Sequence, residues 1–254
     1  MSQQTIDGRT AFVTGANRGI GRAIVQALLE RGAAKVYAGA RRPESVQPLV
    51  DAYGERVVPV ELDVTDKQQV RGAAAAAPDV DLLVNNAGIL EQHFVPFGDE
   101  GWSAAGRKEF EVNTIGTMEV TQAFAPVLAA NGGGAVVNVV SMAGLVNFPM
   151  FLSYSASKAA QHSLTQGMRI LLAGQGTSVY GAYPGPVDTD MGAAIPFDKA
   201  SAESVAEAVL DGLESGTEEI FTDPMAQELG GIFVDSPKGL ERQIAAMASE
   251  GAAA

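Results

Sequence analysis

The chain has 254 residues, a formal net charge of −13, two histidines and no cysteine. This composition excludes disulfides, thiolate zinc sites and iron–sulfur clusters, and no metal is expected. A strongly acidic chain repels nucleic acid and anionic membranes, so neither is expected as a partner. The sequence shows neither a targeting pattern nor an apolar run of roughly 18 residues, which predicts a cytoplasmic protein.

Short runs typical of β-strands alternate with longer helical patterns along the chain. The predicted strands are 10–14, 35–40, 57–62, 81–85, 135–140, 178–183 and 219–222, and the predicted helices are 20–31, 68–77, 109–130, 154–172, 201–213 and 238–248. Pro59 cannot donate to a sheet ladder and places the third strand near an edge. Pro126 predicts a bend or a local break, and Ser201 predicts a helix cap.

Strand–helix alternation from end to end predicts an α/β fold. Right-handed crossovers then give a doubly wound Rossmann domain, with about seven mostly parallel strands and helices on both faces. Because no linker, repeat or charge block divides the sequence, residues 1–254 are expected to form a single domain.

A glycine-rich turn joins the first predicted strand to the first predicted helix. It reads Thr14-Gly-Ala-Asn-Arg-Gly-Ile-Gly21. Glycine reaches positive φ and lets a ligand approach the backbone closely, while the free N–H groups of a helix start attract a pyrophosphate. This turn, at the start of a βαβ run, predicts dinucleotide binding.

The turn and the motifs that follow it resemble the short-chain dehydrogenase/reductase family, in particular its carbonyl-reductase-like members. In the family's order they are Thr14-Gly-x-x-x-Gly-Ile-Gly21, Asn85-Asn-Ala-Gly88, Asn113, Ser141, Tyr154-x-x-x-Lys158 and Pro184-Gly185, from residue 10 to about residue 190. The resemblance implies a nicotinamide-dependent oxidoreductase that interconverts a ketone or aldehyde and the corresponding alcohol.

The same resemblance assigns the catalytic group to Asn113, Ser141, Tyr154 and Lys158. Tyr154 is implied as general acid/base, Lys158 as the partner of the nicotinamide ribose, Ser141 as the partner of the substrate oxygen, and Asn113 as part of a water-linked proton path. Tyr154 and Lys158 are four residues apart and share a helix face. An ammonium near a phenol favours the phenolate, so the Tyr154 pKa is expected to be lowered.

The end of the second predicted strand indicates which nicotinamide cofactor is bound. NAD-binding folds typically carry an Asp or Glu there, which bonds the adenosine ribose. This chain carries Arg41 and Arg42 instead, and Arg18 lies in the glycine turn. Guanidinium groups match the geometry of phosphate, so NADP(H) is favoured, with NAD(H) possible.

Further positions complete the predicted cofactor site through resemblance to family segments around the adenine, the cofactor floor and the carboxamide. The whole set is Gly15, Asn17, Arg18, Gly19, Ile20, Gly21, Arg41, Arg42, Asp63, Val64, Asn86, Ala87, Gly88, Tyr154, Lys158, Pro184, Gly185, Val187 and Thr189. A second interpretation of Asp63 is a turn or helix cap, and both roles can coexist.

Candidate substrate-pocket residues follow the motif strands and are mostly large and apolar: His93, Phe94, Met142, Phe148, Phe151 and Met191. They predict a neutral, hydrophobic carbonyl or alcohol substrate. Small residues at about 190–200 predict a mobile lid. The C-terminal segment 219–254 departs from the pattern of many family members, in which this region often builds subunit contacts. A homodimer or homotetramer is expected, and a dimer would pack through the helices 109–130 and 154–172.

Three other functions compete with the oxidoreductase. A non-catalytic dinucleotide sensor on the same fold is the main alternative, but it predicts a broken Tyr–Lys–Ser set, which is intact here. A dehalogenase-like relative without cofactor would replace Lys158 and block the glycine turn. A sugar-nucleotide epimerase would be longer and would space its glycines differently.

Overall fold

Seven short apolar segments pair side by side into one sheet. The computed structural model describes residues 5–91 and 101–251. The strands are β1 (Thr10–Thr14), β2 (Lys35–Ala40), β3 (Val57–Glu61), β4 (Leu82–Asn85), β5 (Gly134–Val139), β6 (Thr177–Ala182) and β7 (Glu219–Ile220). Their order is β3-β2-β1-β4-β5-β6-β7, and every neighbouring pair is parallel. The predicted parallel sheet is therefore confirmed, with β3 and its Pro59 at an edge.

Helices cover both faces of this sheet. They are α1 (Gly19–Glu30), α2 (Gln47–Tyr53), α3 (Lys67–Ala76), α4 (Gly101–Glu109), α5 (Thr117–Ala130), α6 (Leu152–Ala173), α7 (Ala202–Ser215), α8 (Pro224–Asp235) and α9 (Pro237–Gly251). Helices α1, α2 and α7 bury their apolar stripes against one face, and α3, α5 and α6 bury theirs against the other. The described helices include none that is both long and apolar enough to cross a membrane.

The predicted helix 109–130 is wrong at its start. Helical backbone already runs through α4, continues as a π-helical segment over Phe110–Gly116, and passes into α5. Most side chains of α4 are polar or small and exposed, so this stretch lacks the apolar period that marks a helix in sequence. Helix α5 runs on through Pro126.

Helices α2 and α8 were not predicted either. At α8 the signal is present in the sequence, since Asp223 caps the helix by accepting from the N–H of Ala226 at 3.0 Å and Pro224 follows as the first helical residue. The predicted cap at Ser201 is confirmed, because its hydroxyl accepts from the N–H of Ser204 at 3.0 Å.

Strand order reverses between β1 and β4, which places a crevice at the carboxyl ends of these strands. Beside it, α8 and α9 pack on residues that follow β5 and β6. Leu229, Leu240 and Ile244 from these helices are buried with Val140 and Met142. The C-terminal segment therefore forms a wall at one end of the crevice.

Candidate active site

A cleft of about 1730 Å³ opens at the carboxyl ends of the strands. Residues following β1, β2, β4, β5 and β6 line it, together with the start of α6. Ordinary ligand pockets measure roughly 300–1,000 Å³. The cleft is therefore large enough for a dinucleotide and a small substrate together.

The structure brings almost all predicted site residues to this one cleft. Of the cofactor set, all positions except Gly21 line it, as do Ser141 and four of the predicted pocket residues, Met142, Phe148, Phe151 and Met191. Gly21 and Asn113 are buried and do not line the cleft. His93 and Phe94 lie outside the described residues.

The three glycines of the first turn have different physical roles. Gly15 and Gly19 have φ of +64° and +51°, in the left-handed region that favours glycine. Gly21 has no such requirement, but a Cβ there would lie 2.2 Å from the carbonyl oxygen of Gly15. The turn therefore depends on backbone conformation at two positions and on close packing at the third.

The start of α1 is open to an anion. Arg18 occupies the N-cap position with extended backbone and no side-chain cap, and the first turn contains no acidic residue. Free N–H groups and the helix dipole at such a start favour phosphate. Arg22, Arg41 and Arg42 also line the cleft, although the protein carries a net negative charge.

The segment expected to act as a lid is a loop closed at its base. Val187 and Ala200 form a parallel bridge, and the N–H of Asp188 donates to the carbonyl of Ala200 at 2.8 Å. At its near end, Asp190 accepts from the Arg18 guanidinium at 2.9 Å, so the loop contacts the glycine turn across the cleft. Its mobility stays a prediction.

Asp63 has the structural role that was its second interpretation. Its carboxylate Oδ1 accepts from the N–H of Thr65 at 2.9 Å and from the Thr65 hydroxyl at 2.7 Å. These bonds hold the turn after β3. The residue also lines the cleft, so its cap role does not remove it from reach of a ligand.

Tyr154, Ser141 and Lys158 meet at the inner end of the cleft. Tyr154 and Lys158 lie one helical turn apart near the start of α6, with Lys158 Nζ 5.8 Å from the centre of the Tyr154 ring. Ser141 follows β5, and its hydroxyl oxygen accepts from the N–H of Ala143 at 3.1 Å. Ser141 also hydrogen-bonds with the side chain of Tyr154.

Burial dominates the electrostatics of this pair. Desolvation raises the pKa of Tyr154 to about 12, against the opposing hydrogen bond with Ser141, and the charge of the buried Glu109 adds to the rise. Desolvation also lowers the pKa of Lys158 to about 7. The expected lowering of the Tyr154 pKa is therefore wrong, because the charge of Lys158 does not offset the effect of desolvation on the Tyr154 phenol.

Asn113 lies behind the cleft, in the π-helical segment. Its side-chain Oδ1 accepts from the N–H of Ile89 at 2.8 Å, while Nδ2 donates to the carbonyl of Ile89 at 3.0 Å and to the Ser157 hydroxyl at 3.0 Å. A Cβ on Gly88 would lie 3.2 Å from Asn113 Oδ1. The side chain of Asn113 thus fixes the loop after β4 against α6.

Sequence reasoning missed several lining residues from outside the motifs. Apolar ones come from the loop after β6 and from the C-terminal helices: Ile195, Phe197, Met225, Leu229 and Met247. The apolar stripe of α9 gives a helix signal, but nothing in the sequence shows which cavity that stripe faces.

Comparisons with known proteins agree with this arrangement. The family model described as short chain dehydrogenase matches residues 9–200. Galactitol 2-dehydrogenase (L-tagatose-forming) of Cereibacter sphaeroides is 39% identical over 194 residues, covering 73% of this chain and 74% of that protein. The segment that the family model matches includes the glycine turn, Ser141, Tyr154 and Lys158.

Solved structures extend the similarity over nearly the whole chain. A short chain dehydrogenase from Burkholderia cenocepacia in complex with NADP is 42% identical, with a TM-score of 0.87 over 96% of this chain and 99% of that one. A short chain dehydrogenase/reductase from Burkholderia phymatum in complex with NAD is 26% identical, with a TM-score of 0.77 over 88% of this chain and 92% of that one. Motifs, fold and comparisons together show that the chain is an oxidoreductase of the short-chain dehydrogenase family.

Proposed function

We propose that this oxidoreductase uses NADP(H) to interconvert a neutral, hydrophobic ketone or aldehyde with its alcohol, and that Tyr154 is the general acid/base. The observation that carries the proposal is the meeting of Ser141, Tyr154 and Lys158 at one end of the cleft that begins at the glycine turn. A cytoplasmic location is part of the same proposal.

The cleft fits a nicotinamide dinucleotide. The left-handed Gly15 and Gly19, the open start of α1 and the nearby arginines suit a pyrophosphate and a further phosphate. Asn86, Ala87 and Gly88 would lie under the cofactor, and Lys158 would hold its nicotinamide ribose. When bound, such a cofactor supplies or accepts the hydride.

The protein's own residues supply position and the proton. In the reductive direction, the Tyr154 hydroxyl donates its proton to the carbonyl oxygen as that oxygen gains charge, and the Ser141 hydroxyl stabilises the same oxygen. Burial raises the pKa of Tyr154, so the phenol is protonated at neutral pH and has a proton to donate in the reductive direction.

The decisive test is Tyr154→Phe, which removes one oxygen and keeps the ring. We expect kcat for carbonyl reduction to fall by about 10²–10⁴-fold, the usual contribution of a positioned acid, with the Kd for NADPH unchanged. Absorbance at the nicotinamide band follows turnover, and fluorescence titration follows binding. Retained turnover with intact binding would refute the mechanism.

The cofactor preference rests on Arg41, which lines the cleft and is exposed. Arg41→Asp is expected to lower the NADPH/NADH ratio of kcat/KM, because a carboxylate repels a 2′-phosphate and can accept from ribose hydroxyls. Arg71→Asp makes the same charge change on α3 at an exposed position that does not line the cleft. A wild-type ratio below one, or equal effects of the two variants, would contradict NADP(H) preference.

The substrate class rests on the apolar wall formed by Met142, Phe148 and Phe151 together with the C-terminal helices. One relative is named for action on galactitol, a polyol, so the panel of substrates includes galactitol, charged keto acids, and alkyl and aryl ketones. We expect the aryl and alkyl ketones to have the highest kcat/KM. Faster turnover of galactitol or of keto acids would replace the hydrophobic class.

The family match favours the oxidoreductase over the alternative function, a non-catalytic dinucleotide sensor. Such a sensor predicts tight NADPH binding without turnover across the whole panel of carbonyls and alcohols. Turnover of any panel member that Tyr154→Phe abolishes would exclude it.

A further inference from the structure

Behind the cleft, a line of buried side chains connects Lys158 with the backbone of Asn113. Lys158 Nζ donates to Gln161 Oε1 at 2.8 Å, Gln161 Nε2 donates to Thr117 Oγ1 at 3.0 Å, and the Thr117 hydroxyl donates to the carbonyl oxygen of Asn113 at 2.9 Å. None of these four residues exposes more than 4% of its surface. The line is therefore shielded from competition by water.

The carbonyl oxygen at the end of this line determines which group donates in each of its hydrogen bonds. The carbonyl oxygen of Asn113 can only accept, so the Thr117 hydroxyl gives its single proton there and accepts from Gln161. The amide of Gln161 must then present its nitrogen to Thr117 and its oxygen to Lys158. Because an amide oxygen only accepts, Lys158 is a donor toward Gln161 whether it is charged or neutral.

A second fixed acceptor engages Lys158 from the sheet. Its Nζ also donates to the carbonyl oxygen of Val139, at the end of β5, at 3.0 Å. An ammonium has three protons, so one remains for the cleft, which Lys158 lines beside Tyr154. A neutral amine in the same place would give both of its protons to the fixed acceptors and turn its lone pair to the cleft.

We propose that Gln161 is a positioning residue for the reaction. Together with the carbonyl of Val139, it accepts a hydrogen bond from Lys158, so that only one of the proton positions on Lys158 Nζ faces Tyr154 and the cleft. This proposal rests on the proposed function, in which Tyr154 transfers a proton with Lys158 beside it. The arrangement leaves Lys158 one proton position for exchange with that pair. Gln161 touches neither substrate nor cofactor, and it acts through Lys158.

Among the residues that the structure describes, few ionisable groups share this end of the cleft. The elements packed around Lys158 contribute Val139, Asn113, Gly88 and Gly144, none of which titrates. The titratable neighbours are Tyr154 on the same helix and the buried Glu109 on α4, whose charge acts on Tyr154. The other ionisable lining residues of α4 and its surroundings, Glu91, Arg107, Lys108 and Glu111, are at least partly exposed.

The test compares Gln161→Leu and Gln161→Glu by the pH profile of kcat/KM for carbonyl reduction. Gln161→Leu removes the acceptor for Lys158, and we expect kcat to fall by about tenfold or more through lost positioning, with the Kd for NADPH changed less than about threefold. Gln161→Glu places a carboxylate beside the ammonium, and we expect the inflection assigned to Lys158 to move to higher pH by about one unit or more.

Thr165→Val is the matched control on the same helix. Thr165 is fully buried, and its hydroxyl donates to the carbonyl of Gln161 at 2.8 Å and accepts from Asn138 at 2.9 Å, without belonging to the line. We expect its pH profile and kcat to match the wild type even where its Tm falls. A wild-type kcat and profile in Gln161→Leu, or the same changes in Thr165→Val, would overturn the proposal.

A readout independent of turnover separates this proposal from the proposed function. Carbon-13 NMR of the labelled lysine Cε atoms, assigned with Lys158→Met, follows the titration of Lys158 without substrate. We expect Gln161→Leu to lower the Lys158 pKa below its wild-type value, because a buried acceptor of the ammonium is lost. An unchanged titration refutes the role of Gln161, whereas a wild type without turnover on any carbonyl refutes only the proposed function.

Discussion

At the scale of single residues, loss of solvent has a larger effect on the pKa values of Tyr154 and Lys158 than their mutual charge interaction. Helix spacing correctly put Tyr154 and Lys158 on one face, but it said nothing about the water left around them. Burial moves the Tyr154 pKa up to about 12 and the Lys158 pKa down to about 7. The carbonyl of Val139 and the amide of Gln161 hold Lys158 in place, and neither neighbour follows from the Tyr-x-x-x-Lys motif.

The lowered Lys158 pKa gives a pH-dependent stability. Between about pH 7 and the ordinary lysine value of 10.5, the unfolded chain holds a proton at this position that the folded chain has released. The free energy of unfolding therefore rises with pH across this window and is flat below it. Relative to Lys158→Met, the wild type should gain about 2–3 kcal/mol between pH 7 and pH 9, at about 1.4 kcal/mol per unit.

Urea denaturation at a series of pH values measures this difference. Lys67→Met is the control, because Lys67 is largely exposed on α3 and pairs with Glu119 at the surface. Its stability difference from the wild type should change little over the same range. Parallel pH curves for the wild type and Lys158→Met would contradict the assigned pKa.

At the scale of elements, the glycine turn and α1 act as one unit. A Cβ on Gly21 would lie 2.2 Å from the Gly15 carbonyl oxygen and 2.4 Å from Asn86 Nδ2, whereas a Cβ on Gly72 in α3 would meet open space. Gly21→Ala should therefore distort the turn, raise the Kd for NADPH more than about tenfold and lower stability by about 1–3 kcal/mol.

Gly72→Ala is the matched substitution in a helix. It should raise stability by about 0.5–1 kcal/mol, because alanine loses less backbone entropy than glycine on folding, and should leave the Kd for NADPH unchanged. Thermal unfolding and fluorescence titration measure both quantities. Wild-type NADPH affinity in Gly21→Ala would show that close packing in the turn is not required for binding.

Helices α8 and α9 determine the far wall of the cleft through Met225, Leu229 and Met247. Met247→Ala removes apolar contact area, so the KM for bulky aryl ketones should rise by about tenfold, on the basis of 1–2 kcal/mol of lost burial. The KM for a small ketone and the Kd for NADPH should stay constant. The control is Met118→Ala, which makes the same deletion in α5, outside the cleft. Equal effects of the two variants on the KM for aryl ketones would contradict a role of α9 in specificity.

At the scale of the whole molecule, two exposed apolar side chains on α6 predict an interface between copies of the chain. Ile170 and Leu171 are 78% and 80% exposed near the end of this helix. Large apolar groups side by side at a surface favour burial in an interface. We expect sedimentation at micromolar concentration to show a homodimer or homotetramer, and Ile170→Asp with Leu171→Asp to shift it toward the monomer.

The control for this interface is Val234→Asp, since Val234 is 72% exposed on α8 instead of α6. Its sedimentation coefficient should equal that of the wild type. A monomeric wild type would refute oligomerisation, and dissociation by Val234→Asp alone would move the interface to the C-terminal helices.

The sequence by itself determined the strands, their parallel arrangement and the motif residues that line the cleft. Each motif follows a strand, and the carboxyl ends of parallel strands meet at one edge of the sheet, so Thr14–Gly21, Asn85–Gly88, Ser141 and Pro184–Gly185 had to converge. The edge position of Pro59 followed from its missing N–H in the same way.

Only the tertiary structure decided what depends on distance and solvent between segments far apart in the chain. It placed Asn113 behind the cleft in a π-helical segment, packed the apolar stripe of α9 against the residues that follow β5 and β6, and buried Lys158 so deeply that desolvation sets its pKa. Local periodicity fixes which face of a helix is apolar, but contacts, burial and pKa arise from what packs against that face.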